Sequence, residues 1–196
     1  MSRSDQTGFE TALVGALARA GPEGMIGKVR LDGDTLRVVG EKGGELAIPA
    51  VQVERIRLVR ISGSRLGTTY EAKIWPKGAS APFLLMPPRP PTGYGPVIKG
   101  FAGRVAAAGG TVMRGPGLAT AIVNLLIIGG SCTLLAAGAV LLAVFDGGWP
   151  WWLAAIITVA LDLLLLFDTF RNRWPRRVRN LDELDRELPR KEENQP

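Results

Sequence analysis

In the run IITVALDLLLLF, residues 156–167, a single carboxylate, Asp162, stands among side chains that hydrocarbon would accept. A carboxyl group in that setting can hydrogen bond a neighbouring helix, hold a cation or carry a proton, and each role requires a partner at its own depth. If the chain turns near residues 147 and 148, Asp162 falls beside Ser131 and Thr133, whose hydroxyls are the side-chain partners within a turn of it. Asp162, Ser131 and Thr133 are therefore expected to form an intramembrane polar contact across a hairpin or to a second copy. Proton transfer is the alternative, and it requires a larger assembly, because two helices alone cannot enclose an aqueous path.

A second concentration of chemistry follows directly. Arg171, Arg173, Arg176, Arg177 and Arg179 crowd the exit of the apolar run. Basic residues beside a membrane attract anionic headgroups at about 1 kcal/mol each, so these five are expected to contact anionic lipid at the cytoplasmic face. Lys42, Arg55 and Arg57 loosely resemble a basic phosphate site and are read as a solvated face.

The remaining inventory argues against a reaction. The chain has no histidine, and its one cysteine, Cys132, lies inside an apolar segment, which removes the usual neutral-pH proton carrier, Cys/His zinc sites and any intramolecular disulfide. No phosphate-loop GK[ST], dinucleotide fingerprint or Gly-x-Ser-x-Gly elbow is present, and GSRLGTT, residues 63–69, lacks the lysine and spacing of a phosphate loop. The expectation is a non-enzymatic protein without cofactor or bound metal.

These residues need elements to hold them. Residues 115–145 contain no Asp, Glu, Lys or Arg, and residues 147–167 contain only Asp162. A spanning helix needs about 20 mostly apolar residues, so a transmembrane hairpin is expected over 113–174, with helices at about 118–145 and 149–170. Residues 1–117 carry sixteen Lys/Arg against nine Asp/Glu, while the connection DGGWPWW has no basic residue. The positive-inside rule then places both termini in the cytoplasm of a multi-pass protein of the plasma (inner) membrane, anchored by interfacial Trp149, Trp151, Trp152 and Trp174. This topology accounts for the basic charge without nucleic acid. The polar start MSRSDQTGFE lacks the pattern of a cleaved signal peptide, so the first span is expected to act as its own insertion signal.

Before the hairpin the period changes twice. Phe9, Leu13 and Leu17 recur at helical spacing, predicting a short N-terminal helix within residues 1–24. From residue 25 the pattern alternates: Val29 and Leu31 against Lys28 and Arg30, Leu36 and Val38 against Arg37, Ile56 and Leu58 against Arg55 and Arg57. With TTYEAKIW and PFLLM this makes about six antiparallel strands. After the proline cluster at 87–91, Tyr94, Val97, Ile98, Phe101 and Val105 share one face of a helix that stops at Gly109-Gly110. Residues 25–112 are thus expected to form one α+β domain, an antiparallel barrel or sandwich closed by a C-terminal helix. The basic juxtamembrane segment and tail, 175–196, offers Asn180 and Glu183 as a capping box before Leu181, Leu184 and Leu188, in a helix marginal by itself in water, with a disordered remainder after Pro189.

The order of GKVRLDGDTLRVV, ELAIPAVQVERIRLVR and the helix from Tyr94, joined to a membrane hairpin, resembles the bacterial pleckstrin-homology-like membrane proteins. The likeness covers roughly residues 25–110. It implies a cytoplasmic recognition domain that binds lipid or protein. Phosphoinositide-binding members carry a basic loop between their first two strands, where this chain has Asp32-Gly33-Asp34. The expected function is a membrane scaffold or protein/lipid-binding module, with a protein partner or homo-oligomer formed through the hairpin. The alternative is a small accessory subunit of a transporter or other membrane complex, with Asp162 serving assembly or ion coupling.

Overall fold

The computed structural model describes residues 8–64, 67–87, 93–146, 149–172 and 174–189. The chain forms two compact units, one from residues 1–114 together with 176–196, the other from residues 115–175.

The first unit is α+β and contains two sheets. One has the order β1-β2-β3-β4, with β1 at Gly8–Ala12, β2 at Ile26–Asp32, β3 at Thr35–Gly40 and β4 at Glu45–Pro49, all antiparallel. The alternation read from the sequence sets its faces, since Val29, Leu36 and Val38 are fully buried. The β2–β3 turn has two residues, because Asp32 pairs with Thr35, and Gly33 takes φ +53°, a conformation that L side chains rarely adopt. The second sheet has the order β7-β6-β5-β8-β9, with β5 at Val53–Ser64, β6 at Gly67–Pro76, β7 at Phe83–Leu85, β8 at Thr111–Arg114 and β9 at Arg176–Arg177. Neither sheet closes, so a barrel is not formed.

Three features depart from expectation. Residues 8–12 are a strand, followed by one short helix, α1, at Gly15–Ala18. Phe9, Thr11 and Leu13 point inward at period two, and the polar Thr11 masked that period. Its Oγ1, fully buried, accepts a hydrogen bond of 2.8 Å from the Met86 N–H. Secondly, β8 follows the closing helix and runs parallel to β5, pairing Arg55 with Thr111 and Arg57 with Met113, so the sheet is not antiparallel throughout. Thirdly, the tail returns to the same sheet: β9 pairs with β8, Arg176 opposite Arg114.

Helix α2, Tyr94–Ala107, buries Tyr94, Val97, Ile98, Phe101 and Val105, the face expected from the sequence. It packs on β1 and β2 of the first sheet and on β5 and β8 of the second, so both sheets share one apolar core around it. Gly93 caps its start at φ +75°, where a Cβ would collide with the Gly8 carbonyl. Arg104 reaches from α2 to the β2–β3 turn, bonding the Gly33 carbonyl and the Asp34 carboxylate.

The second unit is a pair of helices, α3 at Leu118–Asp146 and α4 at Trp149–Asn172, packed along each other. Stretches of 25 and 19 residues within them, Leu118–Leu142 and Trp149–Phe167, are long and apolar enough to cross a membrane. At ~1.5 Å per residue these span about 37 and 28 Å, close to the ~30 Å of a hydrocarbon layer. Only 6% of either is buried within the protein, unlike a core helix of a soluble domain.

Candidate functional site

Two places concentrate chemistry, one in each unit. On α4, Asp162 is half-buried, and its Oδ1 is shielded without a hydrogen-bond partner among the described residues. Ser131 and Thr133 donate instead to carbonyls of their own helix, Ser131 Oγ to Ile127 at 2.7 Å and Thr133 Oγ1 to Gly129 at 2.8 Å. A hydroxyl four residues beyond a free helical carbonyl lone pair satisfies itself locally, so neither donates to Asp162. A Cβ on Gly129 would sit at ordinary contact distance, 3.6 Å, from Leu166 of the facing helix.

The basic residues divide by element. Arg176 and Arg177 form β9 and Arg179 follows it, all three exposed. Arg171 closes α4, but its side chain and the whole of Arg173 lie outside the described residues. Beyond Arg179 the tail is a clasp on the first unit. Asn180 and Glu183 form the expected capping box, starting a 3₁₀ helix over Leu181–Arg186. Leu184 and Leu188 are buried in the core, Lys99 of α2 meets Asp185 at 2.7 Å and Asp182 at 3.5 Å, and Arg114 meets Glu183 at 3.5 Å. Glu187 accepts the Arg60 backbone N–H at 3.1 Å. Burial raises its carboxyl above the usual range, against the opposing pull of that bond and of Arg114.

The second concentration is on the outer face of the larger sheet. Ile56, Leu58, Ala72 and Ile74 point into the core, which turns Arg55, Arg57, Glu71, Lys73 and Trp75 outward. The register sets Arg55 opposite Trp75, and one row runs Leu84, Lys73, Arg57, Met113 and Arg177 across five strands. Arg55 stacks on Trp75 with Cζ 4.3 Å from the ring centroid, and Arg57 lies 5.7 Å from it. Lys73 meets Glu71 at 3.3 Å. Arg57 bonds only the Met113 sulfur, at 3.6 Å, and its Nε is shielded and unpartnered among the described residues. Burial first and Arg55 second hold its guanidinium below its ordinary pKa.

Beside this row lies a concave site of about 430 Å³, walled by Arg57, Lys73, Trp75, Pro82, Leu84 and the residues Val14, Gly15 and Ala16 at the start of α1. Lys42, grouped with Arg55 and Arg57 from the sequence, sits in the β3–β4 turn of the other sheet and is not part of it. Lys73 and Trp75 were not singled out as site residues, since only the strand register brings them to the arginines. The alternation of Arg55 and Arg57 with Ile56 and Leu58 was the available signal. No group of three metal-ligating side chains occurs among the described residues. No family model, curated protein or solved structure matches this chain.

Proposed function

We propose that the chain is a non-enzymatic, multi-pass protein of the plasma (inner) membrane with cytoplasmic termini. Its β-rich unit acts as a pleckstrin-like recognition module that scaffolds a protein partner at the membrane, aided by anionic headgroups. The observation that carries this reading is the insertion of α3 and α4 between two hydrogen-bonded strands, β8 and β9. Two spans return a chain to the side it left, which suits a unit assembled from segments on both sides of the hairpin. The excess of basic residues before α3 and after α4 favours the cytoplasm as that side. Affinity isolation of the full chain from membranes in mild detergent tests the reading. Recovery of a soluble partner, lost when the β-rich unit is removed, is the expected result; a stoichiometric multi-pass partner would overturn it in favour of the second reading.

That second reading, an accessory subunit of a membrane complex, draws on one specific observation: the shielded Asp162 oxygen without a partner among the described residues. A buried polar atom left unpaired is costly, so a donor from another chain would be favoured there.

A further inference from the structure

The outer face of the larger sheet holds cations in an arrangement that folding alone disfavours. Arg57 and Lys73 are direct cross-strand neighbours, and like charges so placed are destabilising. Several other cations of this unit have carboxylates: Arg37 meets Asp32 at 2.9 Å and Glu45 at 2.6 Å, and Lys99 and Arg104 are similarly paired. Arg55 and Arg57 form no ion pair among the described residues, and Glu71 serves Lys73 alone. The local balance is therefore three cations against one carboxylate. Arg57 is also partly withdrawn from water, where a cation without counter-charge gains most from meeting an anion.

The adjoining hollow is otherwise apolar, walled by Trp75, Pro82 and Leu84, and its volume of about 430 Å³ falls in the range of small-molecule sites, ~300–1,000 Å³. A bare inorganic anion would leave these walls unused, and a neutral apolar molecule would leave the guanidinium unpaired. We propose that this hollow binds a small amphiphilic anion, with a carboxylate or phosphate head held by Arg57 and Lys73 and an apolar body lying on Trp75 and against Leu84. Arg55, stacked on the indole, fixes the ring as a platform. The proposal gives the recognition reading above a ligand class, but it stands on this face alone and not on membrane topology or on any protein partner.

The test uses the full chain in nanodiscs of zwitterionic phosphatidylcholine, titrated by calorimetry with phenyl phosphate and with 4-phenylbutyrate. Saturable binding of either is expected, with inorganic phosphate and benzyl alcohol each weaker by at least about tenfold. Arg57→Met keeps the side-chain volume and should weaken binding about tenfold or more without lowering the melting temperature, because it relieves the like-charge contact. Lys73→Met, at the neighbouring position, should weaken it in the same direction. Adding phosphatidylglycerol to the nanodisc separates the sources: competition with phenyl phosphate assigns a lipid headgroup, and its absence assigns a soluble amphiphile, both supporting the site. Absence of saturable binding, or binding equal in wild type and both variants, would overturn it. Because no partner is isolated and no orientation measured, this failure is distinguishable from failure of the scaffold reading.

Discussion

Glu187 illustrates how one side chain can set the condition under which an element holds. Its carboxyl, half-buried where the tail meets the first unit, accepts the Arg60 N–H, and burial raises its pKa. A group whose folded pKa lies above its unfolded one stabilises fully below the unfolded value, ~4.3 for Glu, and that contribution is lost as pH rises through the folded value. Glu187→Gln retains an acceptor for Arg60 and removes the buried charge. Thermal melts should therefore show the variant gaining on wild type as pH rises above about 4; a difference independent of pH would sink the assignment. Asp162 poses the other residue-scale question. Its Oδ1 has no donor among the described residues, and Ser131 and Thr133 are occupied by Ile127 and Gly129. Asp162→Leu should leave the helical content unchanged while weakening association with a second chain by about 0.6–2 kcal/mol, the worth of an interhelical hydrogen bond. Asp162→Asn should preserve association, as measured by cross-linking yield in detergent. If Asn removed function with association intact, a structural role would be excluded. The carboxyl's oddity among apolar neighbours was plain in the sequence, but rotamers decide where hydroxyls point, and no spacing rule reveals them.

At the scale of elements, the tail shows why local propensity misleads. Leu181, Leu184 and Leu188 were visible as an apolar stripe, and Asn180 with Glu183 as a capping box, which the structure contains. In isolation so short a helix would be marginal, because nucleation costs more than a few hydrogen bonds return. What holds it is the core: Leu184 is fully buried and Leu188 nearly so. Leu184→Ala should cost about 2–5 kcal/mol, as for other buried leucines, and should expose residues 180–189 to limited proteolysis before the sheets are attacked. An unchanged cleavage pattern would show that the tail is not held by this residue. The N-terminal strand is the converse case. Phe9, Leu13 and Leu17 satisfy a helical period, yet Phe9, Thr11 and Leu13 also satisfy a two-residue one, and pairing with β2 selects the strand. β8 is too short to announce itself; its four residues become a strand because β5 offers an edge.

For the whole molecule, connectivity carries a stability prediction. Arg114 and Arg176 are direct neighbours on β8 and β9, so residues 115–175 are an insertion between paired strands. Replacing them with a two-residue Asn-Gly turn should yield a soluble protein that melts cooperatively with mixed strand and helix circular dichroism. Residues 1–112 alone, lacking half of β8 and all of β9 and the tail leucines, should aggregate or melt without a cooperative transition. Equal stability of the two would show that the tail adds nothing to the core. By itself, the sequence determined the two long apolar helices, the alternation that buries Val29, Leu36, Val38, Ile56 and Leu58, and the buried face of α2, because each follows from a period and a transfer free energy readable along the chain. Only the tertiary structure decided that residues 8–12 are a strand, that the tail closes the first unit, and that Arg57, Lys73 and Trp75 meet. Those outcomes depend on pairings between residues up to more than a hundred positions apart, whose energy exists only when strand register and shared burial are complete.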